Sequence, residues 1–364
     1  MVKSALPRAA PHIPLLLGLA FALVAGGCGG NSGSKAKTPA TTSGLVSIGA
    51  GLQGPPGLKA TVYARGIPQM SAFAFDSLGR LWVTRSGANT HESDGVYVVA
   101  SPDASPVRVI PATLKGPLGL VWIGAKLYVS SLGRVTEFSG LSGHHFSRQT
   151  TILTGPVPRG ENNNLVRAPD GRLLMGISST CDHCVPKSKW AAAIVSFRPD
   201  GSDLRIYARR IRAAYGLAFY PGTSELFASM NQRDDLGAKT PGDWLAFVRQ
   251  GDDWGFPACY GQGGADCKNV PRPVGVLDTH AAAGGVAILT GQLGGRYRSS
   301  ALVTEWEHGN VRRVTLERTP TGYRGAVSTF LTGLQDPLPL VATADGAVLV
   351  GDWGRGIIYR IAVG

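Results

Sequence analysis

Charge is scarce in this chain of 364 residues: Asp, Glu, Lys and Arg together make up 16%, against roughly a quarter in ordinary globular domains. What excess there is lies dispersed. The net charge is +12, of which the acid-free stretch 1–50 carries +4 through Lys3, Arg8, Lys35 and Lys37, leaving +8 for the remainder. No dense Lys/Arg block with interleaved aromatics occurs, which argues against a nucleic-acid partner and for a mildly basic solvated surface. Helical periodicity is nearly absent beyond the amino-terminal segment, which argues against helix bundles and α/β folds. Cysteine is sparse at five, while Gly (50) and Pro (24) are plentiful. That balance favours many short strands joined by turns.

The apolar run Ile13 to Ala25 is too short to span a bilayer comfortably, and it follows the basic residues Lys3 and Arg8. With Gly26 and Gly27 directly before Cys28, it reads as a lipoprotein-type signal over 1–28 whose cysteine becomes the acylated amino terminus. Ala25 stands where Leu or Val is usual, and the alternative is an ordinary secretory signal cleaved nearby. Either reading places the protein outside the cytoplasm, in the periplasm or on the outer membrane face. Membrane contact is then expected through the lipid anchor alone. Residues 29–57 are small and polar and read as a flexible linker. The globular domain is expected over 58–364.

Four further cysteines come as close pairs, Cys181 with Cys184 and Cys259 with Cys267. In an oxidising compartment these read as disulfides pinning two loops. A thioredoxin-like redox site or half of a zinc site are the alternatives for Cys181-Asp-His-Cys184. The first wants a βαβ context and the second another ligand pair, and neither is evident.

One unit recurs about six times: an apolar strand, a tight turn, a second apolar strand and a polar loop. Its copies begin at Ser71, Leu118, Asn164, Tyr215, Gly284 and Leu338. A spacing of roughly 40 to 50 residues matches four-stranded propeller blades. The expected fold is therefore an all-β, six-bladed propeller. Lys59–Tyr63 is the natural outer strand of the last blade beside Ile357–Ile361, which closes the ring by pairing both chain ends.

In such a fold the loops entering the innermost strands line one mouth of a central channel. Polar residues gather there: 159–164, 210–212, 231–235, 252–257, His280, 305–308 and 352–355. Arg suits a carboxylate-rich ligand because its planar fork bonds bidentately. Acidic side chains and backbone carbonyls near an axis suit calcium.

Three runs, Pro169–Cys184, Phe197–Ser202 and Tyr207–Thr223, resemble the sorbosone dehydrogenase family, soluble sugar dehydrogenases that use pyrroloquinoline quinone (PQQ). Asn231–Gly237, Trp254–Gly261, Glu307–Asn310 and Gly346–Asp352 continue the similarity in the same order, over most of Ala60 to Gly364. The resemblance implies PQQ and calcium held over the channel, a sugar substrate and an external electron acceptor. It places Arg212, Asn231, Asp234 and His308 at the cofactor, and the carbonyls of Gln232 and Arg233 at calcium.

The departures fall on the chemistry. The family's catalytic histidine, shortly before the third Pro-Asp-Gly, is missing from Gly160-Glu-Asn-Asn-Asn164. Glu161 is the remaining candidate for a general base. Arg212 is followed by Ala213 and Ala214 where the family has Asn-Pro, and Gln335-Asp-Pro337 replaces Gly-Arg-Pro, removing a cationic contact. Three readings stand open: a PQQ-dependent sugar dehydrogenase; a catalytically degenerate propeller that binds a carbohydrate or a protein partner; and a calcium-dependent lactonase-type propeller using Glu161, Asn164, Asn231 and Asp352. The shared fold does not choose among them.

Overall fold

A computed structural model describes residues 44–364, except 88–90, 112, 156, 158–159 and 262–266. The expected signal, Cys28 and most of the linker lie outside the described residues. Among the described residues, the regular structure is all strand apart from three single-turn 3-10 segments.

Six four-stranded antiparallel sheets follow one another along the chain. Blade 1 begins with Met70–Phe75, blade 2 with Gly119–Ile123 and blade 3 with Asn162–Arg167. Blade 4 begins with Ala213–Phe219, blade 5 with Ala283–Leu289 and blade 6 with Pro337–Ala342. Each of these is the innermost strand of its sheet. The fourth strand of blade 6 is Leu58–Arg65, which pairs with Ile357–Val363 in the register Ile361↔Ala60 and Tyr359↔Val62. The chain ends thus clasp one sheet, as the repeat pattern predicts, and no open edge remains at the join.

Burial grades outward across each blade. Second strands such as Leu173–Ile177 and Val348–Asp352 are buried at every position. The rim strand His145–Thr154 is exposed along most of its length. Apolar clusters therefore sit between neighbouring blades. Trp82, Val96 and Val98 of blade 1 meet Leu120, Leu127 and Phe138 of blade 2, with Trp82 edge-on to Trp122 at 5.0 Å.

At the axis, neighbouring inner strands approach so closely that side chains do not fit. A Cβ on Gly216 would lie 2.4 Å from the carbonyl oxygen of Gly284. Inner strands of five blades also slip register against their second strands, between Asn162 and Leu165 in blade 3 and between Ala214 and Leu217 in blade 4, for example. Such a bulge turns extra side chains toward one side of the strand. Here the bulged residues include Asn163, Asn164 and Tyr215.

Part of the segment expected as linker is structured. Val46–Gly49 pairs with Leu52–Gly54, and Ile48 and Leu52 are buried in the cluster between blades 5 and 6. Gln53 and Thr332 exchange two backbone hydrogen bonds, of 3.1 and 3.0 Å. The Gly/Ser/Thr-rich composition masked two well-spaced apolar residues, each worth about 1.5–3 kcal/mol when buried.

Candidate functional site

The face on which the inner strands begin collects the loops that enter them and the loops that join second to third strands. Several of their backbone N–H groups are buried and need acceptors. Buried carboxylates supply them. Asp243 accepts from the N–H of Gln232 (2.7 Å) and of Ala283 (3.0 Å), tying a blade 4 loop to the start of blade 5. Burial pushes its carboxyl up to about 7 against the opposing pull of those two N–H groups. Asp94 does the same between blades 1 and 2, accepting from Gly87 (2.6 Å) and Gly116 (2.7 Å).

Arg212, in the loop entering blade 4, is the centre of a charged cluster. Its Nε donates to the carbonyl of Asp182 (3.0 Å), and its Nη2 donates to the carboxylates of Asp182 (2.5 Å) and Asp234 (3.2 Å). The Asp182 carboxylate also accepts the backbone N–H groups of Asp234 and Asp235, both at 3.0 Å. His280, at a left-handed φ of 52°, sets Nδ1 3.1 Å from Asp234 and Nε2 3.3 Å from the carbonyl of Gly237. Arg233 binds Asp235 through two nitrogens (2.5 and 2.6 Å) and lies over the ring of Tyr260 at 4.5 Å. That bidentate pair holds the Asp235 carboxyl down at about 2.

Two disulfide loops meet beside this cluster. Cys181–Cys184 closes the loop carrying Asp182, and Cys259–Cys267 closes the end of a long insert after Gly242–Val248. The disulfide reading of both pairs is borne out, and with the sulfurs bonded the zinc alternative is removed. The insert runs beside the rim of blade 3, where the backbone of Arg209 accepts from Trp254 N–H and donates to the carbonyl of Asp252 (both 3.0 Å). It reaches the mouth at Tyr260, whose ring lies 5.9 Å from that of His183.

Closer to the axis, Glu161 accepts a 2.6 Å hydrogen bond from the Ser178 hydroxyl. Ser178 also accepts from Asn163, whose amide donates on to the carbonyl of Ala214 (3.0 Å). Ser179 N–H donates to the carbonyl of Arg212 (2.6 Å), so the Glu161 and Arg212 groups share one support. Tyr215 reaches across the channel from blade 4 to donate to the carbonyl of Ser71 in blade 1 (3.2 Å). Burial, and after it the charge of Glu161, raises its phenol above the usual range. Below it remains a cavity of about 20 Å³ lined by residues including Ser71, Asn164 and Pro339. Tyr215 thus bridges blades 4 and 1 across the axis.

The blade 5–6 side differs. His308 is exposed, with Nε2 2.8 Å from the carbonyl of Thr279, and makes no bond to the Arg212 cluster. Buried Glu305 accepts the N–H of Asp278 and lies 3.2 Å from Arg312. Asp352 spends its oxygens on the N–H groups of Gln335 and Arg355 (2.9 Å each) and on the Arg355 guanidinium (3.1 Å). Asp336 has its carboxyl raised by burial and by the neighbouring charges of Asp352 and Glu307.

Of the residues singled out from sequence, Glu161, Arg212, Gln232, Arg233 and Asp234 come together on the blade 3–4 side of the mouth. Asn231 ends the second strand of blade 4 and donates to the carbonyl of Ala283 (3.2 Å), while its Oδ1 is buried without a partner among the described residues. The carbonyls of Gln232 and Arg233 accept no hydrogen bond among the described residues. Asp352 accepts three hydrogen bonds from Gln335 and Arg355 on the blade 6 side, and Asn164 uses its Oδ1 on the N–H of Leu165. No group of three or more His, Cys, Asp or Glu that could hold a metal occurs among the described residues. Sequence reasoning missed Asp182, Ser178, Tyr215 and Asp243. Only Asp182 carried a signal, its place inside the Cys181–Cys184 ring.

No family model matches the sequence. A curated protein of Borreliella burgdorferi, described only as uncharacterized, is 22% identical over 303 residues, covering 70% of this chain and 78% of that protein. Solved structures share the fold at low identity. A putative oxidoreductase (glucose dehydrogenase) of Thermus thermophilus is 18% identical with a TM-score of 0.68, over 84% of this chain and all of the other. The PQQ-bound aldose sugar dehydrogenase of Streptomyces coelicolor is 18% identical at 0.68, over 85% of this chain and all of the other. A calcium structure of a Trichoderma reesei carbohydrate-active enzyme of family AA12 is 15% identical at 0.71, over 89% and 100%. The chain thus shares its propeller with sugar dehydrogenases that use PQQ. Its disulfides fit an oxidising, extracytoplasmic compartment, and no helix among the described residues is long and apolar enough to cross a membrane.

Proposed function

We propose that the chain is an exported, Cys28-anchored oxidoreductase that oxidises a hydroxyl or aldehyde group of a sugar at the propeller mouth, with PQQ and calcium as cofactors. The observation carrying this reading is the gathering of Glu161, Arg212 and the carbonyls of Gln232 and Arg233, uncommitted among the described residues, on the blade 3–4 side of the mouth. Calcium fits the donor types present: it takes oxygen ligands, and Asn231, directly before the two carbonyls in the chain, has a buried Oδ1 without a partner among the described residues. The quinone fits at one end. Arg212 keeps Nη1 uncommitted among the described residues, while its other nitrogens are held by Asp182 and Asp234.

When bound, PQQ supplies a two-electron acceptor for a sugar carbon. Glu161 takes the proton of the sugar hydroxyl. One of its oxygens is fixed by Ser178, so the other faces substrate in a constant position, as a general base requires. Tyr215, bonded across the axis to the carbonyl of Ser71, fixes the inner strands of blades 4 and 1 beneath the site. Arg212, neutralised on one side, offers its remaining donor without a large unpaired charge.

A second reading is favoured by Asp336. Where the sugar dehydrogenases resembled in sequence carry a cation, this chain sets a carboxyl beside Asp352 and Glu307, which repels an anionic cofactor. In that reading the mouth binds a carbohydrate without redox chemistry. Reconstitution of purified protein with PQQ and calcium separates the two. Quinone absorbance with sugar-dependent dye reduction supports the oxidoreductase. Sugar binding with no quinone uptake at micromolar concentration, about −8 kcal/mol, establishes the second.

A further inference from the structure

The ring closed by Cys181 and Cys184 encloses only Asp182 and His183, yet Asp182 is where three elements meet. Its carbonyl and carboxylate hold Arg212, 30 positions away, and its carboxylate holds the N–H groups of Asp234 and Asp235, 52 and 53 positions away. A free loop would have to lose considerable backbone and side-chain freedom to keep one carboxylate on all of them. The disulfide removes much of that freedom in advance. His183 fixes the other side of the ring, with Nε2 3.1 Å from the carbonyl of Pro257 and its imidazole packed on Tyr260 and Phe256. The loop is open to solvent: His183 is exposed, and Val185 beyond it is 77% exposed.

We propose that Cys181–Cys184 is a thiol-controlled clamp and that Asp182 is the positioning residue it holds. An external dithiol breaks the Sγ–Sγ bond: two electrons and two protons pass to the cysteines, giving two thiols, and the dithiol leaves as its own disulfide. Asp182 then withdraws from Asp234 and Asp235. The carbonyls of Gln232 and Arg233, directly before them in the chain, lose that backbone fastening and keep only looser ones, through Gln232 N–H on Asp243 and the side chains of Arg233 and Asp234. Partners that orient metal ligands are typically worth about 10–100-fold in affinity. The oxidised form is thus the cation-competent form, a consequence that rests on the calcium reading above.

The test uses the whole protein, oxidised and reduced, with hydrogen exchange followed over residues 232–241 and terbium luminescence as the cation probe. Opening the ring raises exchange of the Asp234 and Asp235 amides by about tenfold or more and weakens terbium binding by about tenfold. C181S/C184S reproduces both effects without reductant. In a C259S/C267S background the response to reductant persists, assigning it to the first pair. Asp182→Asn gives the loosened segment with the disulfide intact and no further response. A thermal melt confirms that each variant is folded. Unchanged exchange on ring opening overturns the clamp, as does equal terbium affinity in the two forms. A rise in exchange with no terbium bound to either form upholds the clamp and overturns the calcium reading.

Discussion

The two faces of the propeller use the same side chain in opposite ways. On the turn face, aspartates accept backbone N–H groups within their own turns. Asp76 accepts the N–H groups of Leu78 and Arg80, Asp170 that of Arg172, and Asp200 that of Ser202, all two to four residues away. At the mouth, Asp94, Asp182, Asp243 and Asp352 accept N–H groups as far as 22, 53, 40 and 17 positions away. Local bonds shape each hairpin alone, whereas distant ones fix loops from different blades against each other. A site assembled from several loops needs the second kind.

The largest effect is expected where the mouth does chemistry. Glu161→Gln keeps the bond to Ser178 but removes the proton acceptor, so the rate of sugar oxidation by reconstituted protein falls about 10²-fold or more, with the melting temperature unchanged. A fall in stability without loss of rate would reduce Glu161 to a structural bond like those of the turn face.

Next comes Asp243→Ala, which strands the buried N–H groups of Gln232 and Ala283. Urea unfolding at pH 7 should show a loss of about 2–4 kcal/mol. The pH profile carries a sign. The folded carboxyl titrates near 7, above its ordinary value, because burial disfavours the charge. The proton-linked part of its contribution is therefore full below about pH 4 and is lost as pH rises to about 7. The Ala variant lacks this slope, and a variant retaining it would place the titration elsewhere.

The same contrast of near and far accounts for what was legible beforehand. The blade count, the ring closure and both disulfides follow from neighbours in sequence: alternating apolar strands, Asp-Gly turns and close cysteine pairs. Arg212 and the 232–235 segment were found by motif similarity, and the structure does bring them together. Asp243 was invisible because nothing local distinguishes a carboxylate that caps its own turn from one that reaches another blade, and Asp182 was marked only by its place between Cys181 and Cys184. Tyr215 was missed for a related reason, since a bulge decides whether an inner-strand residue faces the channel. The hairpin at Val46–Gly54 was hidden by the polar composition around Ile48 and Leu52.

Asp76→Ala probes the other face and should cost less, about 1–2 kcal/mol, without altering cation binding or turnover. Its pH signature is reversed. Burial alone would raise this carboxyl, but the bonds from Trp82 and Arg80 outweigh it and hold it below the ordinary value. Its contribution is present above about pH 4 and is lost as pH falls further. Stability profiles of Asp76→Ala and Asp243→Ala should diverge from wild type at opposite ends of the acid range.

The smallest effect belongs to Glu317 and Arg324, paired seven residues apart on the blade 5 hairpin at 2.5 and 2.9 Å. Both side chains are more than 60% exposed, so water and salt screen the pair and holding it costs side-chain entropy. Glu317→Gln should leave the melting temperature unmoved in low and in high salt. The hairpin keeps its place through Tyr323, packed on Phe227 and Phe247 at 5.0 and 5.2 Å and bonded to Glu225. A salt-dependent drop in melting temperature would mean that short-range charge pairs hold the rim of this propeller, and the division between local shaping and distant fastening would fail at its weakest point.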